Sequence, residues 1–350
     1  MGLSPFDHPL LSGLLGDVEV GGELSASADI VAILAFESAL ARAEAAHGII
    51  PATAAERIGE GCAGFAPDFD ALRSAVAIDG VVVPDLVRQL RAAVGGADAA
   101  YVHFGATSQD AVDTSLMLRL KRTAVLFDAR LAALISRLDA LDGRFGAAAM
   151  MGQTRMQPAI AITAGDRLRA WRDPLAAARG RLAALVFPLQ FGGAAGTLEK
   201  FDGKGAAVRA TLAGELGLTD TRQWHSGRAP ILDIGHALAL ISGSLGKIGQ
   251  DIALMAQNGE EIALSGGGGS SAMPHKQNPV AAEALVTLAR FNATLAGGLH
   301  QSMVHEQERS GAAWTLEWMI LPQMALACGS GLQLAGKLLA SVRRLGNLPL

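Results

Sequence analysis

Two long apolar seams constrain this chain more than any other feature. Met117, Leu120, Ala124, Phe127, Leu131, Leu134, Leu138 and Leu141 stand alternately three and four residues apart, and Ile231, Ile234, Leu238, Ile241, Leu245, Ile248, Ile252 and Met255 repeat the pattern. A mean spacing of about 3.5 residues keeps one stripe of a helix against a neighbour at a shallow angle. The second seam reads on to Ile262, which predicts a helix of roughly 45 Å. Helices of that length pack into an elongated bundle rather than a compact α/β domain.

Further segments fit the same class. A helix is predicted from Pro158 to Leu185, bent at Pro174. Another starts at Pro279, a good first-turn residue, with Val280, Ala284, Leu288, Phe291, Leu295 and Leu299 on one face. A last one begins after Trp314, with Pro322 near its first turns. No hairpin signal stands out, and Val81-Val82-Val83 is the best strand candidate. Before residue 105 the helices are shorter (Ala28–His47, Pro84–Val94) and separated by Pro and Gly. The reading is an all-α fold: a small N-terminal helical domain over 1–105 and a long-helix bundle over 106–350.

Composition removes several function classes. The 350 residues are half hydrophobic, with one Tyr (Tyr101) and abundant Ala, which suits closely packed helices. The net charge of -4, with Lys and Arg spread along the chain, gives no basic stripe for nucleic acid. Cys62 and Cys328 lie far apart without CxxC or Cys/His ligand spacing, so reduced buried thiols are expected, and no metal or cofactor. The chain has no Lys or Arg before Arg42, unlike a secretory or transit leader. Its longest uncharged apolar stretch, Ile320–Gly336, is short for a membrane span and carries Pro322, Gln323, Ser330 and Gln333. A soluble cytoplasmic protein is expected.

The chemistry concentrates in Gly269-Ser270-Ser271-Ala272-Met273-Pro274-His275-Lys276-Gln277-Asn278-Pro279. This is a Gly-rich loop with two hydroxyls, a cation and an amide, ending at a helix N-terminus. Backbone N–H groups and the helix dipole favour an anion there. Its Gly-to-Lys spacing is wrong for a nucleotide P-loop. Gly192-Gly193-Ala194-Ala195-Gly196-Thr197 follows a helix-like segment and a Pro rather than a strand, so it also fails as a nucleotide loop. His236, on the second seam's helix, reads as a packing histidine.

The GSSAMPHKQNP loop resembles the GSSxMPxKxNP signature of the fumarase/aspartase superfamily. The superfamily's members are homotetramers whose long helices share a bundle and whose sites gather residues from three chains. The resemblance implies that Ser270 abstracts or delivers a proton at carbon, with Ser271, Lys276 and Asn278 holding substrate carboxylates. His103-Phe104-Gly105-Ala106-Thr107-Ser108-Gln109-Asp110 is similar to the superfamily's HxGxTSxD block. It implies carboxylate binding by Thr107 and Ser108, with His103 beside the substrate as a further catalytic residue. Thr-Ser-x-Asp is also an ordinary helix cap, and the two roles are compatible.

Gly152-Gln153-Thr154-Arg155-Met156-Gln157-Pro158 resembles the third block, where adenylosuccinate and argininosuccinate lyases read Thr-His. Here Arg155 takes the place of a histidine of the group that protonates the leaving group. Arginine stays charged near neutral pH and clamps carboxylates instead. Gln157 is the adjoining substrate-binding candidate. His305-Glu306-Gln307-Glu308-Arg309, then Trp314 and Glu317-Trp318, resembles the stretch typical of the superfamily's cycloisomerases and implies a substrate contact from Arg309. Trp314 and Trp318 themselves read as a packed i, i+4 pair. Trp224-His225-Ser226-Gly227-Arg228 resembles the family's Trp-His-x-x-Arg stretch. Phe36–Glu44 resembles the cycloisomerase N-terminal helix, or an exposed face with Glu and Arg.

The resemblance covers about residues 30–325. It implies intramolecular closure of an anionic muconate to a lactone, in aromatic catabolism. The alternative is a fumarate-releasing lyase of the adenylosuccinate/argininosuccinate type. The implied partners are a small polycarboxylate substrate and three further copies of the chain, with no nucleic acid and no membrane. Many relatives carry another small helical domain after the bundle, which is expected to be largely absent here.

Overall fold

The computed structural model describes residues 4–269, 273 and 277–347. Ser270, Ser271 and Lys276, three of the expected site residues, lie outside the described residues. Both apolar seams are buried along single helices, Ala124 only in part. The first is on a 38-residue helix and the second on a 30-residue helix. That second helix stops at Asn258, where Gly259 adopts a left-handed φ of 74°, rather than running to Ile262.

The N-terminal part comprises α1 (Ser12–Leu15), α2 (Val18–Glu23), α3 (Ala26–Ala46), α4 (Ala52–Ala63), α5 (Phe69–Asp79) and α6 (Val83–Val94). Val81–Val83 is not a strand; Val83 opens α6 with Pro84 in its first turn. The long-helix part comprises α7 (Ser108–Phe145), β1 (Ala149–Thr154), β2 (Gln157–Thr163), α8 (Ala164–Ala183), α9 (Gly205–Leu216), α10 (Ala229–Asn258), β3 (Ile262–Leu264), α11 (Val280–Gln301), α12 (Gly311–Ser341) and β4 (Val342–Leu345). The architecture is all-α, with two two-stranded antiparallel ribbons, β1–β2 and β3–β4.

The helix expected from Pro158 begins six residues later. Pro158 sits in β2, paired with Gln153, and Thr163 caps α8 by accepting from the Asp166 N–H at 3.1 Å. The hairpin left no sequence signal because its two-residue turn is Arg155-Met156, with φ of 48° and 66°. Such turns normally use Asn or Gly, which tolerate positive φ. Strain of this kind persists where surrounding structure or function holds it.

Helices α7, α10 and α12 run in one direction, and α8 and α11 return between them. At one end, Asp113 of α7, Arg228 just before α10 and Glu317 of α12 meet. At the other, the Met151 N–H of β1 reaches Glu261, and β3 pairs with β4 after α12. The closest packing is between α10 and α11. A Cβ at Gly249 would stand 2.5 Å from the Ala282 carbonyl, so only glycine permits that approach. Helix α10 is long and apolar enough to cross a bilayer by composition, yet 61% of its most apolar window is buried in the bundle. His236, expected to pack inside, is exposed on α10 and lies 2.8 Å (Nε2 to Nε2) from His300.

Candidate active site

Burying an arginine requires partners, and Arg228 makes four hydrogen bonds to two carboxylates. Its side chain is 1% exposed. Its Nη1 and Nη2 donate to Asp113 at 2.6 and 3.2 Å, and its Nε and Nη2 donate to Glu317 at 2.9 and 2.6 Å. The Trp314 indole donates to Asp113 at 2.9 Å, and the guanidinium stands 4.6 Å from the Trp224 ring centre. Two carboxylates share one cation, so this knot holds a surplus of negative charge. Burial accordingly pushes Glu317 up to about 7, opposing the Arg228 hydrogen bond, and the Asp113 charge adds to the rise. Arg228 is held above its ordinary value because Asp113 and Glu317 outweigh burial. His305 Nε2 lies 3.3 Å from Glu317, and its pKa is lowered by burial and by Arg228.

A third carboxylate builds the adjoining surface. Asp110 accepts from His225 Nε2 (2.9 Å), Gln190 Nε2 (3.0 Å), the Gly192 and Gly193 N–H groups (2.9 Å each) and the Thr107 N–H (3.1 Å). The last bond is the expected helix cap, with Thr107 as N-cap and Ser108 as first residue of α7. The others pin the Gly192–Gly193 turn over that helix start. Gln109 donates to Asp113 at 3.1 Å and to the His225 carbonyl at 2.9 Å, and accepts from Arg309 Nε at 3.0 Å. Arg309 Nη2 donates to the Ala194 carbonyl at 3.1 Å.

Arg309 is therefore exposed, aimed by two neutral acceptors, and without a carboxylate partner among the described residues. An anchored but uncompensated guanidinium beside a helix N-terminus is an anion site. His103 precedes the same helix start. It has φ 60°, a left-handed conformation uncommon outside glycine, and its Nδ1 is 2.5 Å from Glu37 Oε1. Glu37 is not on an exposed face: it is 2% exposed.

The remaining expected residues gather at the opposite end. Arg155 and Gln157 are exposed at the tip of the β1–β2 hairpin. Asn278 exchanges backbone hydrogen bonds with Gly268 at 2.8 and 3.0 Å, closing the base of the loop that carries Ser270, Ser271 and Lys276. A cavity of about 560 Å³ opens beside Gly266–Gly268, Asn278 and Lys337. Helix α10 separates the two ends; its 30 residues make about 45 Å. One protomer brings His103, Thr107, Ser108 and Arg309 together at one end, and Arg155, Gln157 and Asn278 at the other. It does not join the two groups.

Sequence reading passed over Glu37, Asp110, Asp113 and Glu317 as site-building residues, although a signal was present. Asp110 and Asp113 continue the Met117–Leu120 seam backwards at spacings of three and four. Glu317 stands in step with Leu321, Met324 and Cys328, and Glu37 and Glu44 in step with Ile30, Ile33 and Leu40. An acid at an apolar seam position must find a partner or a proton.

The family described as "Lyase" matches residues 20–292. A 3-carboxy-cis,cis-muconate cycloisomerase of Bradyrhizobium diazoefficiens is 40% identical over 335 residues, covering 93% of this chain and 74% of that protein. One from Pseudomonas aeruginosa is 41% identical over 314 residues, covering 87% of this chain and 68% of that protein. The crystal structure of the 3-carboxy-cis,cis-muconate lactonizing enzyme from Pseudomonas putida superposes with a TM-score of 0.88 at 33% identity, covering 96% of this chain and 77% of that one.

Proposed function

Because this chain belongs to the lyase family, we propose that it is a cycloisomerase that closes 3-carboxy-cis,cis-muconate, or a closely related anionic muconate such as a sulfomuconate, to its muconolactone. The observation that carries the reading is Arg155, exposed on a strained hairpin tip where fumarate-releasing relatives have a proton-shuttling histidine. An intermolecular elimination needs an acid for its leaving group. An intramolecular addition does not, because the nucleophile is a carboxylate already tethered to the diene.

The protein's task is then to fold the substrate, hold its charges and stabilise the enediolate that forms as the carboxylate oxygen adds. Arg309, Arg155 and Lys276 supply three cations for a triacid. Thr107, Ser108, Ser271, Gln157 and Asn278 supply neutral donors. Stabilisation of the developing enediolate falls to the loop that carries Ser270, and Ser270 mediates proton delivery to carbon. His103 lies beside the substrate as the second candidate for that proton.

The assembly is a homotetramer in which each site draws its two groups of residues from different copies, at work in aromatic catabolism in the cytoplasm. The placing of the two groups at opposite ends of the long helices within one protomer supports that reading. The test is turnover by the purified protein. Loss of diene absorbance from 3-carboxymuconate, with lactone identified by NMR, is the expected outcome, and a sulfomuconate run in parallel sorts the two anions. Fumarate release from adenylosuccinate or argininosuccinate, without lactone, would overturn the reading in favour of the elimination alternative. Near-full turnover by Ser270→Ala would remove that serine from its role.

A further inference from the structure

Glu37 stands at an apolar seam position of α3, buried, with one oxygen spent on a single partner. Its Oε1 lies 2.5 Å from His103 Nδ1, and its Oε2 is buried without a hydrogen bond among the described residues. A carboxylate only accepts, so Nδ1 carries the hydrogen and the ring has one tautomer in its neutral form. The His103 side chain is 12% exposed, and Nε2 is the ring nitrogen left to meet a substrate. The left-handed backbone at His103 (φ 60°) shows that the fold pays strain to place this ring.

We propose that Glu37 is a positioning residue of the proposed reaction: it holds His103 by Nδ1, aims Nε2 at the substrate beside Arg309, and keeps the ring protonated there as a charged donor to a substrate carboxylate. The proposal rests on the cycloisomerase reading for its substrate but not for its geometry. Glu44, two turns along the same seam, is pushed up to about 9 by burial and by the Glu37 charge, and is neutral near pH 7. The charged groups around His103 are Glu37 on α3, Asp110 on α7 and Arg91 on α6. Burial is the largest single influence and lowers the His103 pKa. The charge and hydrogen bond of Glu37, with the charge of Asp110, outweigh burial and Arg91, so the value is raised.

A raised histidine pKa means that the imidazolium is the active form below that value and is lost as pH rises through it. Activity should therefore have an alkaline limb set by His103. Glu37→Gln, which keeps the shape and removes the charge, should lower kcat on the order of a hundredfold and move that limb to lower pH. Glu37→Asp should restore part of both. The double variant Glu37→Gln/His103→Gln should be no slower than His103→Gln alone. Thermal melting of each variant separates these effects from misfolding.

The substrate-free arm is an NMR titration of histidine-labelled protein, with the His103 resonance assigned by its loss in His103→Gln. A His103 pKa that does not move in Glu37→Gln overturns the proposal, whatever the substrate. A double variant slower by the full Glu37 factor overturns it too. A lowered His103 pKa in a protein that turns over no muconate leaves the Glu37–His103 pair standing and fails the cycloisomerase reading instead.

Discussion

Arg228→Leu is expected to destabilise the protein by about 3–5 kcal/mol, the cost of leaving buried carboxylates without their cation. Asp113 and Glu317 would lose four hydrogen bonds at once, and the Trp314 indole would remain against an uncompensated charge. The loss has a definite pH dependence. Glu317 is already raised to about 7 with Arg228 in place, and removing the cation raises it further. A group whose folded pKa lies above its unfolded value costs stability as pH rises between the two. Protonation rescues the variant at low pH, so its deficit should be smaller at pH 5 than at pH 8. Urea unfolding at both values measures this. Replacing the whole knot by neutral residues of like size (Arg228→Met with Asp113→Asn and Glu317→Gln) should recover most of the loss. An Arg228→Leu variant within about 1 kcal/mol of the parent at pH 8 would show that the knot is not the folding element its geometry indicates.

Arg309→Met is expected to lower kcat/KM by about a hundredfold to a thousandfold, the usual consequence of removing one charged donor from a developing anion. Its melting temperature should fall only slightly, because the guanidinium is exposed and the Ala194 carbonyl can turn to water, while the buried Gln109 amide keeps its bonds to Asp113 and the His225 carbonyl. Arg309→Lys should recover little. The arginine is aimed through Nε and Nη2 while its other N–H groups face outward, and an ammonium cannot serve both directions. Steady-state kinetics with the muconate substrate decides the matter. A variant within threefold of the parent would remove Arg309 from the substrate's contacts.

The bundle was legible because apolar periodicity over eight positions leaves few alternatives. Both long seams proved to be packed stripes, Ala124 only in part, and the face of α11 is buried at Ala284, Leu288 and Leu299 and half-buried at Val280, Phe291 and Leu295. The helix cap at Thr107 was legible from composition and spacing. The hairpin was hidden, since Arg155-Met156 uses none of the residues that normally announce a tight turn. Pro158 misled because a proline fits the start of a helix and an edge strand equally well. Val81–Val83 misled because three β-branched residues outweigh a single following proline when only propensity is read. The knot around Arg228 and the Glu37–His103 pair depend on which helices meet side by side, and periodicity within one helix does not contain that. Only the acids standing at seam positions hinted at it.

The two groups of site residues lie at opposite ends of α10 and α11, and that separation bears on how defects combine. A copy damaged at the Arg309 end still carries an intact Asn278 end, and the reverse holds for a copy damaged at Asn278. When such copies co-assemble, some sites draw both intact ends and none of the damaged ones. For sites built from two copies, random mixing yields about a quarter of the native complement. Two inactive proteins, Arg309→Met and Asn278→Ala, denatured and renatured together, should then regain activity that neither recovers when refolded alone. In a cell carrying both forms of the gene, each would mask part of the other's defect.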